Sequence, residues 1–206
     1  LGKVIRHRLN GQWLAARIIE TEAYYLAEKG SHASLGYTEK RRALFLPGGP
    51  IYMYYARGGD SLNFSAAGPG NAVLIKAASP WQDTHSPAAT VLAMQRNNPS
   101  AQGQPRPLER LCSGQTLLCR ALGLKVPEWN GQRFDRQRLF VDDLGLRPPV
   151  IIQTTRLGIP AGRDEHLPYR FVDAAFARHC TRNPLRRGQL EGRDYQCLSV
   201  EEHPRA

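Results

Sequence analysis

An α+β fold with a mixed or largely antiparallel sheet, in one domain, is the class that this chain predicts. Three observations carry the prediction: strand-like runs come first, helical runs follow, and strand-like runs return. Its 206 residues, residues 1–206 read as a single unit, are enough to bury a substantial core without staples.

Val4 to Leu9 and Trp13 to Glu22 flank Asn10-Gly11, the strongest short hairpin signal, so the chain should open with two antiparallel strands. Glu28 to Arg42 is polar, with Gly30, Ser31, Gly36 and Lys40-Arg41-Arg42, and reads as a long loop of the kind that often carries function. Pro50 to Tyr55 reads as a strand, followed by a Gly58-Gly59-Asp60 turn, Leu62-Asn63-Phe64, a second turn at Gly68-Pro69-Gly70 and a strand from Ala72 to Ala77. Helices are expected over Pro87 to Arg96 and over Gln115 to Leu122, the latter capped by Ser113 and closed by Gly123, with a flexible loop from Asn97 to Pro107 between them. Further strands are expected at Leu139-Phe140-Val141, Val150 to Thr155 and Arg170-Phe171-Val172, and the polar tail from Tyr195 to Ala206 reads as disordered.

Composition narrows the function classes. Hydrophobic residues make up 41% and charged residues 22%, with no apolar run long enough to span a bilayer, so no membrane role is expected. Lys3, Arg6 and Arg8 interrupt what would have to be a signal core, although the first residue is not methionine and the reading leaves room for residues upstream. The four cysteines, Cys112, Cys119, Cys180 and Cys197, have neither paired spacing nor histidines at zinc-site intervals. No metal and no cofactor are expected; Cys112 and Cys119, seven apart, would share a face if helical, and the compartment reads as intracellular, the cytoplasm or nucleoid in a bacterium. The net charge of +10 is rich in arginine, whose planar fork donates two hydrogen bonds to one phosphate. Nucleic acid is therefore the leading partner, with an anionic membrane surface or an acidic protein as alternatives.

Within this basic chain, Ile18-Ile19-Glu20-Thr21-Glu22-Ala23-Tyr24-Tyr25 places two acids at the end of an apolar run. On a strand Glu20, Glu22 and Tyr24 point one way and Ile19, Thr21 and Ala23 the other, so carboxylates and an aromatic ring share a surface. Taken alone, the stretch favours a solvated sheet face. Further along come His32 in the polar loop, Tyr52 and Tyr54 at alternate strand positions, and Asn63 just after a glycine turn. Each has a plainer reading: His32 as an exposed histidine, Tyr52 as core, Asn63 as turn chemistry, and Arg41-Arg42 as a solvated run that also meets phosphate.

Together these residues resemble the alkyladenine (3-methyladenine) DNA glycosylase family, in a bacterial-type version, from Leu1 to about Val172. The resemblance runs through Arg17-Ile18-Ile19-Glu20-Thr21-Glu22-Ala23-Tyr24, Phe45-Leu46-Pro47-Gly48, Ile51-Tyr52-Met53-Tyr54, Leu111-Cys112-Ser113-Gly114-Gln115 and Arg156-Leu157-Gly158-Ile159. It implies a single α+β domain with a curved antiparallel sheet and a hairpin that enters the minor groove. It also implies that Glu22 activates water, that Tyr24, His32 and Tyr54 sandwich an extruded base, and that Asn63 crowds the purine 2-position. Lys76 matches a DNA-backbone contact, and Leu157 lies where a main-chain amide approaches the base edge. Double-stranded DNA with damaged purines is the implied partner of a monomeric protein, and hydrolysis without strand cleavage the implied reaction. Between Tyr54 and Asn63 the chain departs from the vertebrate pattern and is shorter by about one residue, so either Arg57 or Tyr55 could be the side chain that fills the gap in the DNA stack.

The chemistry fits the residue types. Extrusion costs a few kcal/mol of unstacking, and base–aromatic stacking returns roughly 1–3 kcal/mol per base. A positively charged alkylpurine gains cation–π attraction to tyrosine as well. It is already a good leaving group, so a single carboxylate that orients and deprotonates water suffices where sugar hydrolases usually need two. Strand geometry is neutral between Glu22 and Glu20 for that task; the resemblance favours Glu22. Deaminated purines are a further candidate substrate. A noncatalytic nucleic-acid-binding module on the same scaffold and an RNA-directed enzyme are the alternatives.

Overall fold

The computed structural model describes Leu1 to Val200, leaving residues 201–206 of the tail outside the described residues. Nine strands form one sheet in which every ladder is antiparallel. They are β1 (Val4–Leu9), β2 (Gln12–Tyr24), β3 (Ile51–Ala56), β4 (Gly59–Ser65), β5 (Ala72–Pro80), β6 (Leu139–Asp142), β7 (Val150–Thr154), β8 (Arg170–Asp173) and β9 (Tyr195–Ser199). The order is β3-β4-β5-β2-β8-β7-β9, with β1 on β2 and β6 on β1. Four helices, α1 (Ala88–Asn97), α2 (Leu108–Leu111), α3 (Gln115–Leu122) and α4 (Val126–Trp129), complete the α+β architecture. Among the described residues no helix is long and apolar enough to cross a membrane.

Strand β2 organises the sheet. One of its edges pairs with β1 over Gln12–Arg17 and then with β8 over Glu20–Glu22, while the other edge pairs with β5. Two irregularities interrupt the β2–β5 ladder: Ile18 faces Ala78 and Glu20 faces Ala77, leaving Ile19 as an extra residue on β2, and Thr21 then faces Ile75, leaving Lys76 as an extra residue on β5. A bulge of this kind shifts the side-chain alternation by one and bends the strand. Leu14, Ala16 and Ile18 accordingly lie in the main core with Met53, Leu62, Ile75, Met94, Leu118 and Leu122, beneath the helices. Past the bulge, Glu20 lies beside Ala77 and Val172, on the side of a second cluster of Ile19, Ile152, Ala177 and Cys180. The carboxylates thereby escape the core that unbroken alternation would have sent them into.

The opposite face from the helices is covered by the long loop after β2, through a third cluster of Ala33, Ala43, Leu44, Tyr52 and Ala72. This loop holds two short 3-10 turns, Ala33–Leu35 and Glu39–Leu44, and is tied down by Arg156, which ion-pairs with Glu28, and by Asp164, which accepts from the Lys29 amide.

Several local expectations need correction. The tail is not disordered from Tyr195: alternate β9 residues pair with β7 by backbone hydrogen bonds that a polar sequence forms as well as an apolar one. The β3–β4 turn is Arg57-Gly58, because Ala56 pairs with Gly59, and strand β4 starts at Gly59, three residues before its hydrophobic signal at Leu62. Ser113 does not cap α3; its hydroxyl donates to the Arg110 carbonyl and Gly114 takes the cap position. Gly123 does close α3, in the left-handed conformation at φ 70°. Asn98, placed in a flexible loop, is fully buried and donates to the carbonyls of Leu111 and Leu117. Cys112 and Cys119 belong to different helical segments, yet both are buried in the main core, where burial pushes their thiols up.

Candidate active site

A cavity of about 520 Å³ opens on the loop-covered face of the sheet. Its walls include Tyr24 from β2, His32 from the long loop, Tyr52 and Tyr54 from β3, and Asn63 from β4. Tyr52 and Tyr54 are two apart on one strand and so face the same way, with ring centroids 5.5 Å apart and planes 26° from parallel. His32 meets Tyr54 edge-on at 4.4 Å, and its Nδ1 shares a 3.0 Å hydrogen bond with the Tyr52 hydroxyl. Burial, then the nearby charges of Arg41 and Arg163, lowers the His32 pKa, which keeps the ring neutral at neutral pH. Burial likewise raises Tyr52, to about 12, and Tyr54.

Glu22 sits behind this wall with no exposed surface. Its Oε1 accepts the Leu157 amide at 2.8 Å, and its Oε2 accepts the Tyr24 hydroxyl at 2.8 Å and the Lys76 ammonium at 3.4 Å. Tyr24, Lys76 and Leu157 all line the cavity, so the carboxylate lies one side chain from it. A carboxylate oxygen offers two lone pairs. Oε2 has two protein donors and Oε1 one, which leaves Oε1 a position for a water molecule. Burial and the Glu22 charge push the Tyr24 phenol far up, so that this hydroxyl remains a donor.

The bulge on β5 explains Lys76. The extra residue turns its side chain toward Glu22 with only a tenth of it exposed, so that Lys76 lines the cavity and pairs with the carboxylate. Leu157 also lines the cavity, and its amide donates to Glu22. Asn63 is buried and donates through Nδ2 to the Tyr52 carbonyl, an anchor that presents the rest of its side chain to the cavity.

At the rim stands the β3–β4 hairpin. Arg57 and Gly58 both have positive φ, 49° and 78°, like Asn10 and Gly11 in the first hairpin at 50° and 78°. Asparagine is an ordinary occupant of that first turn position, whereas arginine there is strained and points to a local use. Arg57 lines the cavity and its guanidinium lies close enough to Gly158 that a Cβ there would come within 3.0 Å of it. Tyr55, on the strand face opposite Tyr54, is 64% exposed. Arg41 donates to the carbonyls of Leu35 and Gly36 and shapes the loop, while Arg42 is exposed.

Some site residues escaped the sequence. Arg156 is buried, donates to the Ala23 carbonyl, and stacks its guanidinium on Tyr24 at 4.6 Å and on Tyr169 at 5.5 Å, which fixes the ring from behind. Its motif was visible, but its role was not, because the contact spans 132 positions of sequence or so. Gln115, from the Leu111 to Gln115 motif, also lines the cavity, as do Thr116, Arg163 and Thr181, which no sequence signal marked. Among the described residues no three His, Cys, Asp or Glu side chains converge as a metal site would require.

A profile of the methylpurine-DNA glycosylase family matches residues 1–176. A protein of Pseudomonas aeruginosa (strain UCBPP-PA14), provisionally named 3-methyladenine DNA glycosylase, is 74% identical over 202 residues, covering 98% of this chain and 84% of the relative. One of the same provisional name from Pseudomonas savastanoi pv. phaseolicola is 76% identical over 198 residues, covering 96% and 89%. The DNA-3-methyladenine glycosylase of Mus musculus is 31% identical over 185 residues, covering 83% of this chain and 53% of the relative.

Proposed function

This chain belongs to the methylpurine-DNA glycosylase family, and we propose that it excises alkylated purines of the 3-methyladenine type from duplex DNA by hydrolysis, with an abasic site as product. The observation that carries this reading is the ionisable Glu22 held by three donors directly behind an aromatic-walled cavity. The cavity volume lies within the range of small-molecule sites, which suits a single extruded nucleotide.

In this mechanism the base stacks between Tyr24 and the His32–Tyr54 side. A neutral His32 adds no repulsion to a cationic base. Water bound at the open position of Glu22 Oε1 attacks C1′ and gives its proton to the carboxylate. The electron pair of the C1′–N bond goes to the departing base and cancels its positive charge, so no acid is needed for the leaving group. Tyr24, Leu157 and Lys76 hold the carboxylate still, which is worth rate because a fixed charge needs no reorganisation as the oxocarbenium-like state forms. A neutral hypoxanthine must acquire a proton before it leaves, so deaminated purines are the slower substrates. Lys76 is the lysine that lines the cavity, and its pairing with Glu22 makes it a poor nucleophile; the enzyme is monofunctional.

The test is incubation with duplexes carrying one alkyladenine or one hypoxanthine, with free base and abasic sites as readouts, and with borohydride present in a parallel reaction. Release of base without strand cleavage is expected, faster for the alkylated base. Absence of release overturns the reading, and a borohydride-trapped covalent complex overturns the monofunctional assignment.

A further inference from the structure

The segment after β8 carries Arg178, Arg182, Arg186 and Arg187 between positions 174 and 190, with no aspartate or glutamate among them. The family profile ends within it, at residue 176, and all four arginines lie beyond that point. Arg178, Arg182 and Arg187 are exposed, and none of the four is ion-paired to a carboxylate among the described residues. Four like charges left without counter-ions repel one another, an arrangement that an anionic partner relieves.

The segment is also fixed to the site. The Thr181 amide donates to Glu20 Oε2 at 2.9 Å, and Arg170 bridges Glu20 Oε1 at 2.6 Å and the Arg182 carbonyl at 2.5 Å. Thr181 lines the cavity, and Arg182 is the next residue along the chain. In the sheet, β8 lies four strand positions from β3, about 19 Å at a strand spacing of about 4.8 Å, and the cavity is lined both by Arg57 of the β3–β4 turn and by Thr181 of the segment. That span is roughly half a turn of B-DNA.

We propose that the segment from Ala174 to Arg187 is a second DNA-binding element, in which Arg182, with Arg187 beside it, holds backbone phosphates flanking the extruded nucleotide across the cavity from the Arg57 hairpin. The proposal rests on the reading of the cavity as a nucleotide site. The clamp of Glu20 and Arg170 acts on the main chain of residues 181 and 182, so the Arg182 side chain is left to the ligand.

Binding of a duplex with one stable abasic analogue is measured between 50 and 200 mM salt for the parent, Arg182→Ala, Arg182→Ala/Arg187→Ala, Arg182→Lys and Arg8→Ala. Arg8 is an exposed control paired with Trp13, about 35 Å along β2 from Tyr24. Arg182→Ala is expected to weaken binding about threefold to tenfold and to make the slope of log Kd against log salt shallower by about 0.9, one phosphate contact. The double variant is expected to lose about twice that slope, Arg182→Lys to keep most of it, and Arg8→Ala to stay within about twofold of the parent. An unchanged slope in the double variant, or an equal loss in Arg8→Ala, overturns the proposal. Failure of the parent to release base while the slopes differ as stated overturns the enzymatic reading and leaves the DNA-binding element standing.

Discussion

Glu20 and Glu22 lie two residues apart on β2, share a side of the sheet and have no exposed surface, yet their surroundings make different groups of them. Glu20 is held by a full cation: Arg170, itself buried, contacts Oε1, the Thr181 amide takes Oε2, and Ile19, Ala77, Ile152, Val172 and Cys180 close over the pair. Glu22 is held chiefly by two neutral donors, with Lys76 at the longer distance of 3.4 Å, and lies one side chain from a cavity. Glu20 organises the chain around it, whereas all three residues that donate to Glu22 line the cavity, against one of the two that donate to Glu20. Burial of a carboxylate therefore says little about its task until the charge and number of its partners are known.

The largest expected effect is that of Glu22→Gln, which keeps shape and removes the base: base release falls by about a thousandfold or more while binding to damaged duplex stays near that of the parent, measured by single-turnover excision and titration. Activity near the parent's would move the chemistry to Glu20. Glu20→Gln should act on stability instead, leaving Arg170 buried and unpaired at a cost of about 3–5 kcal/mol. At about 2–4 °C per kcal/mol, Tm falls by roughly 6–20 °C in a thermal melt, with excision per folded molecule within several-fold of the parent. The paired replacement Glu20→Leu/Arg170→Met should recover most of the stability; no recovery would give the ion pair a role beyond holding the chain.

Smaller effects come from the walls and rim of the cavity behind which Glu22 is held. Arg57→Ser should cut excision on duplex about tenfold and on single strands much less, because only a duplex needs its stack filled. Tyr55, on the other face of the hairpin, should matter less; equal losses on both substrates for both variants would mean that neither fills the gap. Asn63→Ala should raise guanine excision severalfold above the parent by relieving the clash with its exocyclic amine, and no gain would argue against a steric gate. The smallest is a pH effect. His32 and His7 both have pKa values lowered by burial, so the native state binds fewer protons than the unfolded chain. Their contribution to stability is complete above the ordinary histidine value near 6.5 and is lost as pH falls through the lowered values. His32→Gln should flatten part of that acid slope in denaturant titrations between pH 7 and 5, leaving the part due to His7; an unchanged slope would mean that the fold does not lower the His32 pKa.

By itself the sequence determined those features whose cause is local. Asn10-Gly11 makes a two-residue turn because both positions accept positive φ, Gly123 ends α3 for the same reason, and the apolar runs of β1, β2, β3 and β7 are strands wherever they pair. The acids and aromatics of the site were legible as residue types in order: Glu22, Tyr24, His32, Tyr54 and Asn63. Strand β9 was not, since a polar edge strand is specified by the backbone of β7 and not by its own side chains. Nor could one strand show which way its carboxylates face, because a bulge exists only against a partner. Ile19 is extra relative to Ala78 and Ala77, and Lys76 is extra relative to Glu20 and Thr21. Those two register shifts take Glu20 and Glu22 out of the main core and turn Lys76 inward, and contacts across more than a hundred positions then separate the two acids, Arg170 and Thr181 going to Glu20 and Leu157 to Glu22. Only the tertiary structure decides this, because a hydrogen bond between distant residues has no trace in the local pattern of either.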